Sequence, residues 1–234
     1  MHQQVLELWE TILGKEHPFT LTGMNNLAGG FTSQGKYKEA EAMHQRALAV
    51  QEILLGEKHP STLMSMNNLA YVLSSQSKYD KAEAIHQQVL TLQESVLGKE
   101  HPDTLMSMNN LALVLYSQGK YDKAEAMHRQ VLALRGSVLG KEHPDTLKST
   151  NNLALVLNSQ GKYQEAEAMY LRVLALKEMA LGKEHPSILI SINNLALVLH
   201  SQSKHDEAAA MYQRALTLKE RVLGKEYPSM LKSV

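Results

Sequence analysis

A glycine followed by a short loop ending in His-Pro returns every 42 residues along the whole of this 234-residue chain. Gly14, Gly56, Gly98, Gly140, Gly182 and Gly224 mark the register, the last copy reading Tyr227-Pro228 in place of His-Pro, and no insertion or deletion breaks it. Paired asparagines mark the period a second time, at Asn25 and Asn26, Asn67 and Asn68, Asn109 and Asn110, Asn151 and Asn152, and Asn193 and Asn194. Self-similarity at a fixed period of this size is the signature of a repeat architecture, in which each unit packs only on its neighbours. A chain built this way is expected to form a stack rather than fold about a single centre.

Within one unit the residue order reads as two helices. Pro102 suits a first helical position, because its missing donor would be unpaired there anyway, and Asp103 favours the positive end of a helix. Helix A continues through Leu105, Met108, Leu111, Ala112 and Leu115, spaced three or four apart as one stripe, to a turn at Ser117-Gln118-Gly119-Lys120. Helix B starts near Tyr121, with Ala124, Met127, Val131, Leu134 and Val138 as its stripe, and Gly140 is placed to cap it. Neither stripe is covered inside its own hairpin, so successive hairpins must stack. The expected fold is all-α: a right-handed α-solenoid (superhelix) of stacked antiparallel helix hairpins. It comprises a partial repeat over 1–13, five units over 14–55, 56–97, 98–139, 140–181 and 182–223, and the start of a further repeat over 224–234. The two fragments predict that the sequence is an excerpt of a longer array.

Composition narrows the function classes. Lys plus Arg equals Asp plus Glu at 24 each, so no strong field recruits nucleic acid or an anionic membrane. Without cysteine there is no disulfide framework and no thiolate for metal or catalysis, which points to an intracellular, cytoplasmic setting. No apolar run, such as Leu111 to Leu115, approaches the roughly 20 residues of a membrane span.

The unit resembles the tetratricopeptide pattern at Leu111, Ala112, Leu115, Gly119, Tyr121, Ala124 and Val131-Leu132. The late aromatic of helix B is replaced by His44, His86 and His128 and returns as Tyr170 and Tyr212. Departures are the period of 42 in place of the usual ~34, the absence of the early Trp, whose position reads Met24, Met66, Met108, Thr150 and Ile192, and the lack of a proline closing helix B. The run HPDTL...NNLALVL...QGKYDKAEAMH is similar to the longer repeats of kinesin light chains and to the arrays ending fungal and bacterial NB-ARC or NACHT signalling ATPases. The resemblance implies a non-catalytic scaffold that binds a protein or peptide segment in a concave groove lined by A helices.

On that reading, the groove face carries Asn26, Asn68, Asn110, Asn152 and Asn194, one per repeat, and helical spacing groups Asn110 with Met106, Leu113 and Ser117. An Asn amide both donates and accepts, and so can bond a peptide backbone whatever its side chain. Discrimination is expected from positions that vary between copies: Thr32, Ser74, Tyr116, Asn158 and His200 in one series, Thr22, Met64, Met106, Lys148 and Ile190 in another, and Tyr71. The competing reading has one Asn of each pair tying neighbouring A helices together, and for Met64 and Met106 core packing and groove lining weigh equally. Tyr37, Tyr79, Tyr121 and Tyr163 match a packing position. With only Lys148 on this strip, a clamp for a terminal carboxylate is disfavoured.

Chemistry beyond binding finds little support. His17, His59, His101, His143 and His185 recur once per repeat and read as loop or cap residues, because helices packed about 8 to 10 Å apart keep equivalent histidines from sharing one ion. Glu125 with His128, repeated as Glu41 with His44 and Glu83 with His86, has helical spacing but no third ligand nearby. No phosphate loop, nucleophile elbow or HExxH occurs. The chain is expected to be no enzyme, to need no cofactor and to bind neither nucleic acid nor membrane; the rival to peptide binding is structural or self-assembly work within a larger signalling protein.

Overall fold

A computed structural model describes residues 2–226, and the side chains of residues 6–222. The expected beginning of another A helix at Pro228 lies outside the described residues. Contacts divide the chain into two compact units, 1–120 and 121–234. The first holds α1 (His2–Ile12), α2 (Pro18–Ser33), α3 (Tyr37–Leu55), α4 (Pro60–Ser75), α5 (Tyr79–Leu97) and α6 (Pro102–Ser117). The second holds α7 (Tyr121–Val138), α8 (Pro144–Ser159), α9 (Tyr163–Leu181), α10 (Ile188–Ser201) and α11 (His205–Glu226). No strand occurs among the described residues. Inside each unit every helix packs on the next in sequence, and A helices of adjacent repeats also touch, α4 on α6 and α8 on α10. That is the all-α stack of hairpins anticipated from the period.

The recurrent loop histidine has a definite task. At α2, α4, α6 and α8 it is the N-cap, and its Nδ1 accepts the backbone N–H two residues on at 3.2 Å, satisfying a donor that the helix leaves orphaned. Proline follows in the first turn, where its missing N–H costs nothing. His185 keeps the same bond to Ser187, although α10 starts only at Ile188.

Glycine closes most B helices, in a backbone state outside the left-handed helical region. Gly56, Gly98 and Gly182 sit at φ of 84°, 86° and 82° with ψ of 163°, 165° and 153°, a region essentially reserved for glycine. The last copy differs, for α11 runs through Gly224 to Glu226.

The A-helix stripe is buried as read: Leu105, Met108, Leu111, Ala112 and Leu115 are each at most 4% exposed. Full burial of one such leucine is worth about 1.5 to 3 kcal/mol. The B-helix stripe needs correction. Along α7 the buried residues are Ala124, His128, Val131 and Arg135, whereas Met127 and Leu134 are half-buried and Val138 is 46% exposed. Arg135 takes a place in the helix-facing stripe because the neighbouring A helix offers it polar partners, whereas neither ring nitrogen of the buried His128 is hydrogen-bonded among the described residues.

A further tie binds hairpin to hairpin. Glu41 Oε2 accepts from Gln76 Nε2 at 2.8 Å and Lys78 Nζ at 2.7 Å, so the turn of one repeat is hooked to helix B of the repeat before. Glu83 does the same with Gln118 and Lys120, both at 2.8 Å, and Glu167 with Gln202 at 2.6 Å and Lys204 at 2.8 Å. Glu125 accepts from Lys162 at 2.7 Å and from Arg129 at 2.9 Å. The lysine hydrogen bond, with Arg129 and Gln160 adding to it, holds the Glu125 carboxyl down at about 2.

Candidate functional site

The two asparagines of a pair have separate fates. Asn67 is buried: its Nδ2 donates to Ser107 Oγ at 3.0 Å on the next A helix, and its Oδ1 lies 3.0 Å from His86 Nδ1 on helix B of its own hairpin. Asn25 repeats this with Ser65 and His44, both at 2.9 Å. Because the amide nitrogen is committed as donor, the amide oxygen accepts, and the histidine carries its proton on Nδ1. One triad thus pins three helices, and burial drives both His44 and His86 down to about 4. Where tyrosine takes the histidine's place, Tyr170 Oη donates to the backbone carbonyl of Asn151 at 3.3 Å.

The supposed Glu-His dyads therefore come apart, since Glu41 reaches forward to the next turn while His44 turns inward to Asn25. No group of three or more His, Cys, Asp or Glu gathers to hold a metal ion among the described residues.

In the first three pairs the second asparagine lies nearer the surface, whereas Asn151 and Asn152 are both half-buried and Asn193 is more exposed than Asn194. Asn68 and Asn110, both half-buried, line a groove of about 730 Å³ on residues 1–120, together with Met64, Tyr71 and Met106. Met64 is 55% exposed, Tyr71 62% and Met106 46%, so both methionines line the surface and neither fills the core. Asn26 is exposed and shares with Met64 and Asn68 a smaller hollow of about 220 Å³, and Asn68 and Tyr71 also bound a third of about 320 Å³ beside Thr32. Tyr116 is half-buried outside these three hollows.

In residues 121–234, Asn152 and Asn194 are half-buried on α8 and α10, and Lys148 is exposed on α8. His200 is exposed near the end of α10, its ring 5.1 Å from that of His205 in an edge arrangement.

The groove also contains residues that the repeat pattern did not single out as ligands. Val96 and Leu97, exposed at the end of α5, and Pro60 at the start of α4 extend its apolar wall, and Gln93 contributes a buried amide. The same register holds Gln51, Gln93 and Arg135, all buried. Arg135 Nη1 donates to Ser149 Oγ at 2.9 Å and to the Asp145 carbonyl at 3.1 Å. A signal was present in the sequence, since a polar residue recurs there once per repeat inside an apolar stripe.

The tetratricopeptide repeat family model matches residues 1–53, 24–95, 61–137, 103–179 and 145–221. The chain belongs to the tetratricopeptide repeat family. Among solved structures, this tetratricopeptide chain is similar to the nearly identical TPR-like repeats of a candidate kinesin light chain from Podospora anserina, at 29% identity and a TM-score of 0.76, over 88% of this chain and 98% of that one. It shares its fold with BtubC (BKLC) from P. vanneervenii, at 19% identity and a TM-score of 0.77 over 95% and 90% of the two chains. The Rap conjugation gene regulator of plasmid pLS20, solved in complex with the Phr* peptide, also shares the fold, at 12% identity and a TM-score of 0.68 over 89% of this chain and 54% of that one. No curated protein sequence matches the chain. The kinesin-light-chain-like resemblance of the repeat therefore has structural counterparts, and the tetratricopeptide array is a repeat scaffold of the kind that mediates protein–protein interaction. None of its described helices is long and apolar enough to cross a membrane.

Proposed function

We propose that this protein is an interaction scaffold whose A-helix groove in residues 1–120 receives an extended segment of a partner protein. One observation carries the reading: Met64, Tyr71 and Met106, all markedly exposed, surround the amides of Asn68 and Asn110 in a single groove. Methionine adapts its shape to varied apolar side chains, and the amides can bond the backbone between them. Asn67, by contrast, has both ends of its amide committed and belongs to the frame. A relative in fold, the pLS20 Rap regulator, is itself a peptide-bound protein, which is in keeping with this use of the architecture.

The test is selection of peptides from a displayed library against the intact chain, followed by calorimetry with Asn68→Ala/Asn110→Ala and, separately, Tyr71→Ala. Each lost hydrogen bond is worth about 0.5 to 1.5 kcal/mol, so the double variant should bind about tenfold more weakly while its helical circular dichroism is unchanged. Peptides held equally well by both variants would place the binding surface elsewhere.

A second reading, assembly between copies, is favoured by the exposed apolar residues Leu8 and Ile12 on α1 and Tyr212 and Leu216 on α11. Concentration-dependent sedimentation abolished by Leu8→Lys/Ile12→Lys supports it; a monomer at every concentration rejects it.

A further inference from the structure

The junction between the units at 98–139 and 140–181 interrupts two of the chain's own series. Position 136 is glycine where the other copies have Glu10, Glu52, Glu94, Glu178 and Glu220, and position 150 is threonine where they have Met24, Met66, Met108 and Ile192. The four apolar counterparts of Thr150 are buried core residues. Two long side chains are therefore missing from one neighbourhood, in which α7, α8 and α9 meet.

A cavity of about 420 Å³ opens there, bounded by Gly136, Thr150 and the apolar side chains of Leu132, Leu147, Met169 and Val173. A Cβ added at Gly136 would meet nothing within 4 Å. The volume lies within the ~300 to 1,000 Å³ of small-molecule sites.

The charge left beside it is unbalanced. Arg172 and Lys141 line the cavity and no carboxylate does. In other repeats, an arginine in the register of Arg172 pairs with the glutamate 36 residues before it, Arg46 with Glu10 at 2.9 Å and Arg214 with Glu178. For Arg172 that position is Gly136, and no ion pair of Arg172 exists among the described residues. The junction of these two repeats has the cation, lacks its anion, and leaves the apolar volume next to it empty.

We propose that this cavity binds a single-chain amphiphilic carboxylate of fatty-acid size. Its head group takes the place of the absent glutamate beside Arg172 and Lys141, where guanidinium and carboxylate can pair in two parallel hydrogen bonds. Its alkyl chain fills the space left by Thr150.

The test uses the intact chain and fluorescence of a dansylated undecanoate, displaced by dodecanoate. Thr150→Met and Gly136→Glu each install the residue that neighbouring copies carry, so both variants should fold, and each should weaken binding by about tenfold or more. Arg172→Gln, the residue of Gln88 and Gln130 in the same register, should weaken dodecanoate about tenfold and leave dodecanol little changed. Dodecylamine should fail to compete. Failure of the native chain to bind the probe, undiminished binding by Thr150→Met, or equal competition by dodecylamine would each overturn the proposal.

Discussion

His86 Nδ1 lies 3.0 Å from Asn67 Oδ1, and that asparagine's Nδ2 donates onward to Ser107, so a neutral imidazole joins helix B to two successive A helices. Burial puts His44, His86 and His128 at about 4, and for His128 the charge of Arg135 adds to the effect. Each has a folded pKa below its unfolded value of about 6.5, so the unfolded chain takes up protons first. Stability is fully present above pH 6.5 and is lost as pH falls from there towards 4.

Urea unfolding at pH 7.5, 5.5 and 4.5 should therefore show a steady loss, on the order of 2 kcal/mol per histidine by the lowest pH. Glu41, Glu125 and Glu167, lowered chiefly by hydrogen bonds from Lys78, Lys162 and Lys204, lose their contribution only below the ordinary carboxylate range, at more acid pH. His44→Tyr/His86→Tyr, which installs the residue found at Tyr170, should flatten the decline between pH 6.5 and 4.5. An unaltered slope in that variant would remove the histidines as its cause.

Two interhelical turns carry a removable strain. Ser77 and Ser203 adopt φ of 61° and 63°, the left-handed region in which Gly35, Gly119 and Gly161 sit at 73°, 75° and 77° in the same register. That conformation costs a residue with a Cβ about 1 to 2 kcal/mol. Part of the gain from glycine is offset by its freer unfolded state. Ser77→Gly and Ser203→Gly should each raise stability by about 0.5 to 1 kcal/mol, and Gly119→Ser should lower it similarly. Thermal melts of the three variants check this, and a fall in melting temperature with Ser77→Gly would contradict it.

Trp9 and Gly23 form a compensated pair. A Cβ on Gly23 would lie 2.9 Å from Cζ3 of Trp9 and 3.0 Å from its Cε3, so the indole occupies the space a side chain would need. The next repeat has Gln51 and Ser65 at these positions. Gly23→Ser should cost about 1 to 3 kcal/mol by overpacking. Trp9→Gln/Gly23→Ser should recover part of that loss, a coupling that a double-mutant cycle measures. Simple additivity of the two changes would show that the pair is independent.

The period by itself determined the fold class and the positions of most helix ends. Pro102 after His101, and Leu105 through Leu115 at helical spacing, depend on contacts within one helix or between a helix and its cap, and such contacts leave a local pattern. Helix B was less legible. Val138 continues the apolar spacing but is exposed, whereas His128 and Arg135 break it and are buried. The burial of Arg135 depends on what the neighbouring A helix presents, namely Ser149 and the Asp145 carbonyl.

Tertiary structure alone decided which asparagine of the pairs at 25/26 and 67/68 is frame and which is surface. Asn67 and Asn68 are chemically identical neighbours, but one helical step of about 100° turns the first towards Ser107 and His86 and the second into the groove. The pairing of Arg46 with Glu10, and the unmatched Arg172 facing Gly136, likewise become visible only when repeats are stacked, because residues 36 apart meet through packing and not through any local pattern. Sequence periodicity reports what one unit must bury; the stacking of units sets where the remaining polar groups point.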